Sequence, residues 1–257
     1  MKETRLSMEG RAVGGPWSRG LGMAAAWLLV SLPSLAQSFF TQSSATGLGL
    51  TIPDNSSVGV AHELSFSGVG GLVTHVELTL NIVSRDGGPM FNGDIFATLT
   101  HGTGYSVLLN RAGRRDGFES GYGDNGFAIR LSDTGAADVH TYRLTLNGSH
   151  FVPISNLTPG TPLTGTWQPD GRTADPGVVG VDSTRTAALS DFNGLNPNGL
   201  WTLFVADLGT GGTAKLEGWS LELSSVPEPA HGALAIGALL LLGGAVRRYN
   251  SPRFSRA

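Results

Sequence analysis

Within Val73-Thr-His-Val-Glu-Leu-Thr-Leu-Asn-Ile-Val83, the eight residues His75–Ile82 alternate polar and apolar without a break. Val76, Leu78, Leu80 and Ile82 point one way, and His75, Glu77, Thr79 and Asn81 the other. A period of two over this length dictates a strand with one buried and one wet face. The pattern recurs in Ile95, Ala97 and Leu99; in Tyr105, Val107 and Leu109; in Tyr142, Leu144 and Leu146; and in Trp201, Leu203 and Val205. The last such segment changes parity: Leu216 sits on one phase, and Trp219, Leu221 and Leu223 on the other. Gly218 lies at the slip and predicts a β-bulge. Turn clusters punctuate these segments at Arg85–Pro89, His101–Gly104, Asn147-Gly148, Pro159-Gly160 and Gly209–Gly212. Short alternating segments joined by turns predict an all-β fold, an antiparallel sandwich. No stretch between 40 and 225 shows a helical period.

Composition agrees. There are 38 glycines, and only 14% of residues are charged. Glycine costs a helix about 1 kcal/mol per site relative to alanine, whereas tight turns need it. With no cysteine among the 257 residues, disulfides are excluded. An apolar core must therefore hold the fold, helped at most by a metal ion. A formal charge of −3 gives no electrostatic footprint for nucleic acid.

The two ends differ from the middle. Lys2, Arg5, Arg11 and Arg19 precede an apolar run, Met23 to Leu32, and the small-residue sequence Pro33-Ser34-Leu35-Ala36. This order describes a secretory signal peptide over 1–36, removed by signal peptidase between Ala36 and Gln37. The alternative, an N-terminal membrane helix, requires a longer apolar run without Pro33. At the other end, Val226-Pro227-Glu228-Pro229 leads into the apolar run Ala230–Val246 and then Arg247-Arg248. As a helix, 230–246 spans about 25 Å, close to a bilayer core. The arginines after it place 247–257 on the cytoplasmic side and the main body outside. A buried core helix is the alternative. The division is then signal peptide 1–36, linker 37–49, sandwich 50–225 and tail 226–257.

Val-Pro-Glu-Pro, one apolar helix and Arg-Arg, in that order, resemble the PEP-CTERM sorting signal of bacterial exported proteins. The resemblance implies an exosortase-type membrane enzyme as processing partner. It also implies a setting of extracellular polysaccharide, with the protein membrane-anchored before processing and then at the cell surface or in the matrix.

The middle carries a second resemblance. Its markers are Ile52-Pro53-Asp54, Gly93-Asp94-Ile95, Leu163-Thr-Gly-Thr-Trp-Gln-Pro169 and Leu189-Ser-Asp-Phe-Asn-Gly194. They end in Asn198-Gly-Leu-Trp-Thr-Leu203, Asp207 and Leu216-Glu-Gly-Trp-Ser-Leu221. Together these resemble the P domain (P/Homo B domain) that follows the catalytic domain in kexin- and furin-like subtilisin proteases. The resemblance implies a jelly-roll sandwich and a place beside a serine endopeptidase. The family's histidine before Gly-Asp is replaced here by Arg85–Phe91.

Catalytic chemistry is tempting and incomplete. His101-Gly-Thr103 and Asp133-Thr-Gly135 resemble subtilisin motifs, but in reversed order and without the Gly-Thr-Ser nucleophile segment. A serine without a base beside it does not attack. One Asp-Thr-Gly is half of an aspartic protease pair. Within the P-domain resemblance, His101–Thr103 is a hairpin turn, so the expectation is a protein that is not an enzyme. Histidines 62, 75, 101, 140, 150 and 231 show no zinc spacing.

Asp54, Asp94, Asp191, Asn193 and Asp207 fall at turns and strand ends, where oxygens can converge on calcium. Trp167, Trp201, Trp219, Phe192 and Tyr122 can form a sugar-stacking platform or fill the core. Arg111, Arg114 and Arg115 with Asp116 make a basic loop tip, solvated or turned to an acidic partner. Asn55, Asn147 and Asn156 match the glycosylation sequon. The functional expectation is an exported, non-catalytic module with a binding or structural role. It has two alternatives: an accessory of a subtilisin-like protease, or that protease activity itself; and a lectin-like polysaccharide binder. A separately encoded protease and extracellular polysaccharide are the corresponding partners.

Overall fold

The segment Val73–Val83 forms the body of β4 (Leu72–Ser84), and the four inward residues of its alternating run are at most 2% exposed. A computed structural model describes residues 37–43, 47–154 and 161–226. The remaining strands described are β1 (Ser38–Ser43), β2 (Leu50–Ile52), β3 (Ser56–Phe66), β5 (Ile95–His101), β6 (Gly104–Asn110), β7 (Phe127–Ser132), β8 (Leu163–Trp167), β9 (Gly199–Asp207) and β10 (Ala214–Val226). One sheet runs β1-β10-β4-β7-β8, with β2 also pairing β10; the other runs β3-β9-β5-β6. All pairs are antiparallel except β7–β8. The apolar faces of both sheets feed one buried cluster, so the chain folds as an all-β sandwich.

The parity change lies where the glycine marks it. The register with β4 slips between Leu216 and Gly218, Glu217 being the extra residue, and this turns Trp219, Leu221 and Leu223 inward. A second bulge has no glycine to announce it. β6 slips against β5 between Ala97 and Thr98, so Leu108 and Leu109 both reach the core. Tyr105, expected to face in with Val107 and Leu109, is 40% exposed for that reason.

One expectation is corrected, and strand pairing reaches into the two segments expected to flank the sandwich. Tyr142, Leu144 and Leu146 lie on a short helix, α1 (Tyr142–Asn147), not on a strand. The Asp138 side chain accepts the His140 N–H and starts a 3-10 turn over Val139–Thr141. The chain continues helically until Gly148, at φ +67°, ends it. Tyr142 and Arg143 are buried while Leu144 and Leu146 are exposed, a helical rather than a strand division. Residues 37–49, expected as a linker, contain β1, whose Ser38–Ser43 pair with Ser225–Ser220 of β10. Val226, expected to open the tail, is the last paired residue of β10, opposite Leu72.

Ala36, the sorting residues Pro227, Glu228, Pro229, Arg247 and Arg248, the sequon Asn156 and the apolar run 230–246 lie outside the described residues. Among those described, no helix is long and apolar enough to cross a membrane.

Candidate functional site

The structure divides the five expected calcium ligands. Asp191 and Asn193 lie in and after the 3-10 turn Leu189–Phe192, where Asp191 is raised by burial and by Asp133. Asp54, Asp94 and Asp207 come together elsewhere. Asp207 ends β9 opposite Ile95, the residue after Asp94. The Leu208 N–H donates to the Asp94 carbonyl at 2.8 Å, and the Asn55 N–H to the Gly209 carbonyl at 3.0 Å. The Gly211 N–H reaches Asp54 Oδ2 at 3.5 Å. Three turns that are far apart in sequence are thus stitched at one end of the sandwich.

A cavity of about 590 Å³ opens beside this junction, lined by Phe91, Asp94, Arg111, Phe118, Ser120, Gly121, Gly123, Gly209 and Thr210. Its floor depends on missing side chains. A Cβ on Gly209 would lie 2.1 Å from the Asp94 carboxylate, and one on Gly93 would lie 2.1 Å from the Ser120 carbonyl. Arg111 follows β6 at φ +53°, a region that costs a non-glycine residue about 1–3 kcal/mol. It is held there by its own N–H on the Ile95 carbonyl (2.9 Å) and by Nε on the Gly93 carbonyl (3.0 Å). From this position Nη2 reaches Asp94 Oδ1 at 3.4 Å, a loose pairing. The Asp94 side chain is 9% exposed, and its second carboxylate oxygen accepts no hydrogen bond from the described residues.

The electrostatics are unbalanced. Burial pushes the Asp94 carboxyl above its ordinary value, against the opposing pull of Arg111, and Asp54 adds to the rise. Burial likewise pushes Asp207 up to about 6; the Gly209 N–H opposes this, while Asp94 and Asp54 reinforce it. Asp207 is 2% exposed and, among the described residues, accepts a hydrogen bond from that one amide, at 3.3 Å. Asp94 and Asp207, with Asp54 close to both, thus have the Arg111 guanidinium as their counter-charge. Among the described residues no group of three or more His, Asp or Glu side chains is placed to hold a metal ion.

His101 and Asp133 are not brought together. His101 stacks on Trp201 at 4.1 Å, and its two nitrogens meet the carbonyls of Leu200 (2.8 Å) and Asn196 (2.7 Å). Asp133 accepts the N–H groups of Leu189 and Ser190 instead. The turn after His101 is a two-residue hairpin with Gly102 at φ +56°, as the P-domain resemblance implies. The buried imidazole–carboxylate pair is a different one, His140 Nδ1 with Asp170 Oδ2 at 2.7 Å, both 0% exposed. His140 Nε2 meets the Arg114 carbonyl at 2.9 Å, so neither nitrogen is presented to a hydroxyl nucleophile. Around it Arg172 pairs with Asp138 and Asp170, and Arg143 with Asp124, which also accepts from Tyr142 Oη. Asn92 bridges both Gly126 backbone groups and Tyr142. No local pattern in the sequence marks these residues.

The structure selects the core reading for the aromatics and departs from both readings of the basic tip. All five aromatics of the sugar platform are at most 5% exposed, because each fills the core from its own strand or turn. The basic tip is spent internally: Arg114 donates to the carbonyls of Val179 and Gly177, and Arg115 lies 4.3 Å from the Phe118 ring and 4.9 Å from Phe151. Asn147, a sequon residue, donates its amide to the Val152 carbonyl at 3.0 Å.

No family model matches the chain, and no curated protein matches it. Solved structures do. The serine protease of Aeromonas sobria is 14% identical over 75% of this chain and 28% of its own, with a TM-score of 0.40. The complex of that protease with its chaperone matches at 15% identity over 77% of this chain and 28% of that chain, with the same TM-score. The chain thus spans about 28% of the length of each. At this level of likeness neither neighbour bears on activity.

Proposed function

We propose that the protein is an exported, non-catalytic, P-domain-like jelly-roll module whose work is binding, and that the cleft beside Asp94 is its binding site. One observation carries the reading: an open cavity presents a nearly buried carboxylate that its own guanidinium neutralises only loosely. Folded proteins rarely keep such a group without use, because an uncompensated buried charge costs several kcal/mol. Export and sorting rest on the two ends of the sequence. The mature protein would begin at Gln37 and be anchored through 230–246 until an exosortase-type enzyme acts near Pro227-Glu228-Pro229.

The rival reading is serine endopeptidase activity. Full-length protein incubated with a serine-directed fluorophosphonate should remain unlabelled beside a labelled subtilisin control. Covalent labelling at any serine would overturn the proposal. Intact mass of protein recovered from the surface of an exosortase-bearing host should show a start at Gln37 and loss of the apolar run. Retention of the run in mature material would refute the sorting assignment.

A further inference from the structure

We propose that the cleft beside Asp94 takes the cationic end of a lysine or arginine side chain from a partner polypeptide. The inference rests on reading the cleft as a binding site and adds what enters it. The sign of the charge comes first. Asp94 on the cavity wall, with Asp54 and Asp207 close to it, still outnumbers Arg111 and the Arg115 guanidinium over Phe118, so the cleft disfavours anions and rewards a positive guest. Asp94 offers an unpaired oxygen at the cavity wall, and a charged N–H donor placed there forms a charge-assisted bond of about twice the ordinary strength.

The guest's nature follows from the acceptor set and the volume. A hard divalent cation needs six to eight oxygens, and no group of three or more His, Asp or Glu side chains among the described residues is placed to hold one. An ammonium or guanidinium is satisfied by two or three acceptors. About 590 Å³ is far more than such a head group fills, and it lies in the usual range for bound organic groups. Phe91 and Phe118 supply the apolar wall that a hydrocarbon stem covers, with the cation held against the carboxylate. The stem and head together describe a basic side chain.

The test uses the full-length chain and three blocked tripeptides, glycyl-arginyl-glycine, its lysine counterpart and its citrulline counterpart, by titration calorimetry. The arginine and lysine peptides should bind saturably, and the neutral citrulline peptide at least about tenfold more weakly. Asp94→Asn should weaken the arginine peptide by about tenfold or more without lowering the melting temperature. Thr210→Trp, which blocks the cleft and leaves every carboxylate in place, should abolish binding. Citrulline binding as tightly as arginine overturns the cationic assignment; if Thr210→Trp still abolishes it, the cleft remains a binding site and only the guest is wrong. An unchanged affinity in Asp94→Asn, no binding of any peptide, or displacement of the arginine peptide by micromolar calcium also overturns the inference.

Discussion

Asp207 is the residue whose ionisation costs this fold most visibly. Its carboxyl rises from an ordinary 3.8 to about 6 because burial and two neighbouring carboxylates disfavour the charged form. A raised value means the folded state holds its proton longer than the unfolded one. The associated stability is full below about pH 4 and is lost as pH rises through 6. Asp207→Asn keeps the acceptor for the Gly209 amide and removes that loss. It should stabilise the protein at pH 7.5 by up to about 3 kcal/mol, and by nothing at pH 3.5. Thermal melts of both proteins across that range check it, and an equal gain at both pH values would refute it. Breaking the buried pair Arg143–Asp124 should instead destabilise the fold. Arg143→Met strands a carboxylate that also accepts from Tyr142 and should cost about 3–5 kcal/mol in urea unfolding. The acidic turn residues were legible one by one in the sequence, since carboxylates at turns announce themselves. Which three meet was not, because Asp54, Asp94 and Asp207 are joined by β9 pairing with β3 and β5 and by bonds between the turns beside them. His140 and Asp170 lay on no pattern at all, and neither local spacing nor periodicity predicts a buried pair formed between two loops.

At the scale of elements, alternation read the strands well wherever both ends of a segment sit in a ladder. β4, β5, β9 and β10 bury the residues their parity marks, including the shift at Gly218. It failed at Tyr142–Leu146, which lie on a helix that continues the 3-10 turn capped by Asp138 and is closed by Gly148, so local hydrogen bonds outweigh parity. It half failed in β6, whose bulge is forced by its partner's register and carries no sequence sign of its own. β6 also shows how closely strand and turn are fitted. A Cβ on Gly104 would stand 2.3 Å from Phe192 Cδ1, and Phe192 is itself fully buried against Trp201. Gly104→Ala should therefore wedge the Leu189–Phe192 turn away from β6 at a cost of about 1–3 kcal/mol. Gly102→Ala, two residues earlier, meets nothing within 4 Å and pays only for its φ of +56°, about 1–2 kcal/mol. Denaturant midpoints measure both costs, and tertiary packing separates the two variants. A shift in near-ultraviolet circular dichroism, which reports Trp201 packing, should accompany only the first.

For the whole molecule the decisive element is the last strand. β10 pairs β4 along one edge for nearly its full length, and its other edge is shared between β1 and β2. Three segments from the first third of the described chain thus wait for residues 214–226 before their backbone groups are satisfied. Without cysteines, no covalent clip can hold them in the interval. Pairings this distant in sequence close large loops, and such topologies fold in milliseconds to seconds rather than microseconds. A chain ending at Asp207 keeps every strand of the β3-β9-β5-β6 sheet yet loses the partner of β1, β2 and one edge of β4. It also loses Leu216, Trp219, Leu221 and Leu223 from the core. It should lack cooperative unfolding, bind a hydrophobic dye and be cut rapidly by protease. Deleting 37–43 removes an outer strand whose Thr41 and Gln42 are exposed and whose Phe40 packs only at the border of the core, so that variant should fold, melt lower and self-associate through the uncovered edge of β10. Comparing the two truncations by melting curve and sedimentation tests whether β10 is the keystone. A cooperative transition in the chain ending at Asp207 would show that the second sheet and its loops fold alone, and would move the nucleus of the fold to β9.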